Sequence, residues 1–274
     1  MSGAGATEPE PRGKGAGAAA GAGSLAPKKS LGQHFLVDEN ILGVIERLAE
    51  LDPGDVVLEV GPGLGVLTRF LAARVAHVHA AEVDRRLEEQ LAGIDRVSLH
   101  WGDALRLDVA ALDPPPRKLV ANLPYNVATP IVAESLALGQ LELWCVMVQR
   151  EVADRFFAAP STKAYGSVSV LVQLAVERTG VHPVSREVFR PRPNVDSALV
   201  AFRRTAPAAP PAVKRVVEAS FGHRRKTLAN SLALSGVASR DRAVAALAAI
   251  GRDANVRAEA LAPPEFVRLT EALG

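Results

Sequence analysis

A chain of 274 residues has room for one medium catalytic domain and a smaller second unit, and 48% hydrophobic residues suffice for a sizeable core. No window of the sequence approaches the roughly 20 consecutive apolar residues that span a bilayer, so a membrane partner is excluded and a cytoplasmic protein is expected. The single cysteine, Cys145, excludes an internal disulfide and a cysteine zinc cluster, and no metal is expected; a net charge of +2 leaves only local basic clusters to report on partners.

Residues 1–24 are mostly Gly and Ala with scattered Pro and Glu, lack the side chains to bury anything, and read as a disordered tail. From Pro53 onward, short apolar runs alternate with helical stretches. Val56-Val57-Leu58-Glu59-Val60 has the length of a buried strand and stops at Gly61-Pro62-Gly63-Leu64-Gly65, before an amphipathic stretch over residues 66–73. The next run, His77-Val78-His79-Ala80-Ala81, stops at Glu82. Val97-Ser98-Leu99-His100 leads to Asp103, and Lys118-Leu119-Val120-Ala121 stops at Asn122.

The spacings from Gly61 to Glu82, Asp103 and Asn122 are 21, 21 and 19 residues, each close to one strand-helix repeat. These positions should recur at the same end of successive parallel strands and line one crevice, where ligands of open α/β sheets bind. Residues 141–149 read as a further buried strand, and Val168, Leu171, Val172 and Ala175 follow a helical face. Residues 197–203 read as a late strand. A Pro/Ala linker begins at residue 206, and the rest of the chain is helical in pattern. The fold class is therefore α/β, with a catalytic domain over 25–205 and a small helical domain over 206–274.

Glycines in a strand-to-helix turn let a ligand approach the backbone closely. Glu82 then stands where an acidic side chain takes both ribose hydroxyls of an adenosine cofactor. A tight turn without ligand remains open on the glycines alone. A nicotinamide fingerprint requires G-x-G-x-x-G, whereas Leu67 occupies the last glycine position here, and a P-loop lacks its Gly-Lys-Ser/Thr. Asp103 can accept from an adenine amine or serve as a helix cap.

Asn122-Leu123-Pro124-Tyr125 narrows the chemistry. An adenine N6 amine is a poor nucleophile because its lone pair is delocalised into the ring. The Asn122 side-chain oxygen and the Leu123 carbonyl, accepting both amine hydrogens, would favour the tetrahedral nitrogen of a transition state. Pro124 stiffens the turn, and the Tyr125 ring can stack on an extruded base.

Several segments together carry a resemblance: residues 28–36 (KKSLGQHFL), 59–65, Glu82-Val83-Asp84, Gly102-Asp103-Ala104, Asn122-Leu123-Pro124-Tyr125-Asn126, residues 189–197 as F-x-P-x-P-x-V-x-S, and residues 221–232 as F-x-x-R-R-K-x-L-x-N-x-L. On them the chain resembles the ribosomal RNA adenine dimethyltransferase family over nearly everything after the tail, and its small-subunit branch more than its antibiotic-resistance branch. That resemblance implies a Rossmann-like class I methyltransferase sheet, S-adenosylmethionine as cofactor, and two adjacent adenosines in a small-subunit rRNA hairpin as substrate. The partner would be a pre-ribosomal particle, met by a monomer.

Carried over by position, the resemblance places His34 and Leu36 over the methionine part of the cofactor, with Gly61 and Gly63 beneath. Glu82 would take the ribose, Asp103 the adenine, and Asn122 the junction with the target base. His34 stands where asparagine is common in the family. Phe189 would face Tyr125 across the target adenine, or pack in the core beside its proline turn. Arg190, Arg192, Arg203 and Arg204 would flank that site, and Arg224, Arg225 and Lys226 open a helix of the second domain; such clusters suit RNA phosphates, or are solvated faces. Trp101 and Trp144 read as packing residues. Two other readings are a large-subunit methyltransferase, against which Asn-Leu-Pro-Tyr argues, and a non-catalytic assembly factor of the same fold, against which the intact acceptor motif argues.

Overall fold

The computed structural model describes residues 33–36, 38 and 40–274. The tail expected at 1–24 and the stretch 28–32 of the first matching segment lie outside the described residues. In chain order, strand β1 (Phe35–Leu36) precedes helix α1 (Asn40–Leu48). Then come β2 (Val56–Val60), α2 (Val66–Ala72), β3 (His77–Glu82), α3 (Glu88–Leu91), β4 (Val97–Trp101) and β5 (Lys118–Asn122). These are followed by α4 (Ala128–Ser135), β6 (Leu143–Gln149), α5 (Arg150–Phe156), α6 (Ser167–Ala175), β7 (Val176–Val184), β8 (Phe189–Arg190) and β9 (Ser197–Arg204). Four helices close the chain: α7 (Pro211–Phe221), α8 (Leu228–Leu234), α9 (Arg240–Ala249) and α10 (Pro263–Leu273).

The main sheet has the order β4-β3-β2-β5-β6-β9-β7, parallel from β4 to β6 and antiparallel on both sides of β9. β2, β5 and β6 lie inside it with helices on both faces, which is why they read as nearly unbroken apolar runs. After β2 the chain winds outward to β3 and β4, then returns to the other side of β2 as β5. The strand order thus reverses between β2 and β5, and a crevice opens beyond their carboxyl ends. Gly61 follows one of these strands and Asn122 ends the other.

β7 has no counterpart in the sequence reading. Its nine residues, Val-Glu-Arg-Thr-Gly-Val-His-Pro-Val, are mostly exposed and form the sheet's edge, where Pro183 is tolerated because one side of the strand needs no donor. A register shift between Arg178 and Gly180 bends it.

One core lies against α1 and α2, around Ile45, Leu71, Val78 and Phe189. The other, on the α4 and α6 side, is built on Leu119, Trp144 and Val172 and runs without a break into Val217, Leu247, Phe266 and Leu269 of the closing helices. The Tyr165 hydroxyl reinforces that junction by donating to the Leu261 carbonyl at 2.8 Å. The helical unit after residue 206 therefore shares its core with the sheet.

Candidate active site

Beyond β2 and β3 lies a cavity of about 200 Å³, lined by Gly61, Glu82, Val83, Asp103, Pro124 and Asn126 among others. Gly61 and Gly63 have φ of 74° and 58°. A Cβ on Gly61 would meet Pro124 at 3.2 Å, and one on Gly63 would meet the Phe35 ring at 2.9 Å, so the turn brings backbone where no side chain fits.

Glu82, at the end of β3, is buried. Its Oε1 accepts from the Val83 and Asp84 amides, both at 2.9 Å, and its Oε2 from the Gly63 amide at 3.2 Å. Burial raises its pKa above the ordinary carboxylate value, the three amides pull it back, and the neighbouring Asp84 charge adds a further push upward. Glu82 thus ties the glycine turn to the end of β3 and borders the cavity. Asp103, just beyond the end of the neighbouring strand β4, caps a short 3₁₀ turn by accepting from the Leu105 amide at 3.0 Å; it is exposed and borders the same cavity. It caps this turn and borders the cavity.

At the end of β5, the Asn122 Nδ2 donates to the His34 carbonyl at 2.9 Å. That bond commits the amide nitrogen and leaves Oδ1 as the available acceptor. The His34 ring is anchored in turn, its Nδ1 lying 2.8 Å from the Pro191 carbonyl; since a carbonyl only accepts, Nδ1 carries the proton. Its ring lies 5.2 Å from that of Tyr125, tilted by 31°. The Tyr125 hydroxyl is hydrogen-bonded to Ser197 Oγ, at the first residue of β9. β1 and β8 form a small antiparallel ladder, Phe35 opposite Arg190 and Leu36 opposite Phe189, which straps the N-terminal segment to the proline turn beside the site.

Phe189 requires a correction. Its ring is fully buried in the α1 and α2 core, so it does not present a face to the cleft, and the ring beside Tyr125 is that of His34. Arg203 and Arg204 require another. β9 runs antiparallel to β6, with Ser197 opposite Gln149 at the site and Arg203 opposite Leu143 at the far end of the sheet. There Arg203 pairs with Glu50 at 2.5 Å, and Arg204 donates to the Leu136, Leu138 and Leu141 carbonyls over the Trp144 ring. Arg190, at the end of β8, and Arg192, in the proline segment after it, are exposed beside the β1–β8 ladder, Arg192 facing Glu187 at 3.5 Å. Arg224, Arg225 and Lys226 are exposed in the turn that precedes α8 and not in the helix itself. Trp144 packs against Phe202 at 5.3 Å, as a core residue should.

Sequence reasoning assigned no role to Glu59. It is buried near the end of β2, and its Oε2 makes no hydrogen bond among the described residues. Burial pushes its pKa up to about 8, against a pull downward from Thr68, with a smaller upward push from Glu82. It borders a small cavity of about 20 Å³ shared with Phe35, Leu36, Pro62 and Asn122. A glutamate inside an apolar strand next to a glycine turn was the available signal, since a buried acid without a partner is costly.

The ribosomal RNA adenine dimethylase family model matches residues 25–272. A relative from Rubrobacter xylanophilus is 46% identical over 250 residues, covering 89% of this chain and 94% of its own. Another from Moorella thermoacetica is 44% identical over 272 residues, covering 91% and 93%. Both are named ribosomal RNA small subunit methyltransferase A. Among solved structures, a dimethyladenosine transferase from Plasmodium falciparum aligns with a TM-score of 0.69 at 22% identity, over 86% of this chain and 96% of that one, and supports the fold. The 23S rRNA methyltransferase ErmE aligns with a TM-score of 0.59 at 31% identity, over 87% and 99%.

Proposed function

Because this chain belongs to the ribosomal RNA adenine dimethylase family, we propose that it takes methyl groups from S-adenosylmethionine and places two on N6 of each of two adjacent adenosines in a small-subunit rRNA hairpin. It is an α/β methyltransferase acting on adenine of small-subunit ribosomal RNA. The pre-ribosomal particle is the form of substrate we infer, met by a single copy of the chain in the cytoplasm.

Three features fit the donor. The cavity has two carboxylates in its lining, Glu82 and Asp103, suited to ribose hydroxyls and an adenine amine. The Gly61 and Gly63 backbone offers close approach. The unpartnered Glu59 oxygen belongs to a carboxyl that burial keeps protonated, and a cationic group beside it would favour its ionised form. When bound, the donor supplies an electrophilic methyl on a sulfonium. His34 and Leu36 would close over the methionine part of the donor, and Glu82, Asp103 and Glu59 would hold and orient it.

The observation that carries the reading is the Asn122 side chain at the switch between β2 and β5, with its nitrogen held by His34 and its oxygen left to accept. Asn122 Oδ1 and the Leu123 carbonyl take the two N6 hydrogens, which draws the nitrogen toward a tetrahedral geometry and frees its lone pair. The alkylated nitrogen is acidic and gives up its proton without a strong base. Tyr125 stacks on the base and holds it out of the helix.

The test is mass spectrometry of ribosomal RNA after incubating purified enzyme and cofactor with small subunits from a strain lacking the modification. Two methyls on each of two neighbouring adenosines are expected. Methyls on large-subunit RNA only, or none, would refute the reading.

A further inference from the structure

A second cleft, of about 410 Å³, is lined by the junction of β6 with α5, by Arg186 and by the segment leading into β9, and belongs to none of the roles described above. It is reached through three linked residues. Tyr125 bonds Ser197, Ser197 is the register partner of Gln149, and the adjoining Arg150 amide donates to the Asp196 carbonyl at 2.9 Å. Gln149 and Asp196 both line the cleft. The residues that hold Tyr125 thus adjoin the residues that line the cleft.

We propose that this cleft is a subsite for the nucleotide next to the target adenosine, and that it reads the amino-bearing edge of that base. The inference rests on the rRNA reading of the first site. The lining carries two amides, Gln149 and Asn194, and three carboxylates, Glu151, Asp154 and Asp196, against two guanidiniums, Arg150 and Arg186. Arg186 is already spoken for by Asp196 at 2.9 Å and by the Asn194 carbonyl at 3.2 Å. With that pair set aside, Glu151 and Asp154 stand against Arg150, so the lining is rich in acceptors and carries one negative charge in excess. Carboxylate acceptors suit an exocyclic amine, and a single amide side chain is matched to the N6 and N7 edge of adenine. Exposed Val195, at 43% accessibility, offers an apolar contact for the base face. An unstacked base read at its edge is the usual mode of single-stranded RNA recognition. Adjacent target adenosines would then occupy the two sites in turn, each serving as the other's reporter.

The experiment uses small subunits reconstituted with rRNA in which each target adenosine, in turn, is replaced by purine riboside, which lacks only the amine. Single-turnover methylation of the remaining adenosine is measured for wild type, Asn194→Ala and Asp154→Ala, with cofactor affinity and melting temperature as controls for folding. Wild type should methylate the purine-flanked adenosine about ten-fold more slowly or worse. Both variants should lose that preference, methylating the unmodified substrate at the rate wild type shows on the purine-flanked one. Equal wild-type rates on both substrates, or variants that keep the full preference, would overturn the subsite. Failure of wild type to methylate even unmodified subunits would instead bring down the parent reading, and the subsite with it.

Discussion

The Asn122 amide nitrogen donates to the His34 backbone carbonyl at 2.9 Å, joining the end of β5 to a segment 88 residues earlier in the chain. Because the partner is a backbone atom, the His34 side chain is free to differ from the family's common asparagine without disturbing the acceptor. Asn122→Asp keeps an oxygen where Oδ1 stands but sets a carboxylate oxygen against that carbonyl. Methyl transfer should fall by roughly 10²- to 10³-fold, the usual cost of losing a preorganised transition-state contact. Single-turnover methylation checks it, and a loss below ten-fold would show that the His34 contact does not orient the site. His34→Asn should retain activity within a few-fold.

Glu82 holds three backbone amides before any ligand arrives. Glu82→Ala removes acceptors for the ribose and also loosens the glycine turn. Hydrogen bonds to charged groups contribute roughly 1.5 to 3 kcal/mol, so cofactor affinity should drop by at least about ten-fold while the sheet core survives. Calorimetric titration with S-adenosylmethionine reads this directly, and unchanged affinity would remove Glu82 from the ribose.

Glu59 gives the cofactor site a pH dependence. Its pKa of about 8 in the free protein means that the carboxyl is largely protonated at neutral pH. A cationic ligand beside it favours the ionised form, so binding below pH 8 releases a proton. Affinity should therefore rise with pH from 6 to about 7.5, below the range where an α-amino group of the ligand loses its own charge. Glu59→Gln should flatten that rise. A wild-type affinity independent of pH over this window would contradict the pairing.

The glycine turn, Glu82, Asp103 and Asn122 were legible because each follows an apolar run of strand length, and parallel strands bring such positions to one edge. β7 was not legible. Its exposed alternation carries Pro183 and Gly180, both of which argue against a strand unless the strand is known to be an edge. Arg203 and Arg204 were misplaced for a related reason: proximity to Ser197 in sequence says nothing about site proximity until the direction of β9 is known. Phe189 was undecidable from sequence, since an aromatic residue before a proline turn fits a core and a binding face equally well, and burial selected the core.

Three histidines on β3 and β4 predict an acid limit to stability. His79 Nε2 donates to the Pro114 carbonyl at 2.8 Å, so its Nδ1 accepts from His100 Nε2 at 3.0 Å. His77 and His100 are both pushed below the ordinary histidine value, first by burial and then by neighbouring histidines. A depressed folded-state pKa means that the unfolded chain binds protons more readily. The stabilisation is therefore complete above about pH 6.5, the unfolded value, and is lost as pH falls from there through the folded values. Melting temperature should decline between pH 6.5 and 5, and the pair His77→Gln with His100→Gln should decline less. Parallel curves for the two proteins would exclude the histidines as the cause.

The basic turn before α8 divides into two jobs. Arg224 donates its guanidinium to the Lys163 carbonyl at 3.2 Å and the Tyr165 carbonyl at 3.4 Å, and so braces the helical unit against the loop before α6. Arg225 and Lys226 are exposed beside it. Phosphate contact by these two should make binding to the small subunit salt-dependent, with each lost contact flattening the slope of log affinity against log salt by about one unit. The double variant Arg225→Ala, Lys226→Ala should lose about two units of slope, slow methylation most at subsaturating substrate, and keep cofactor affinity and melting temperature. Arg224→Ala should do the reverse, costing about 1 kcal/mol of stability through two lost hydrogen bonds while leaving the slope nearly intact. Binding measured across a salt series, alongside thermal melts, separates them. Should the double variant keep the wild-type slope, the cluster is a solvated turn, and the grip on RNA passes to Arg190 and Arg192 at the edge of the cleft.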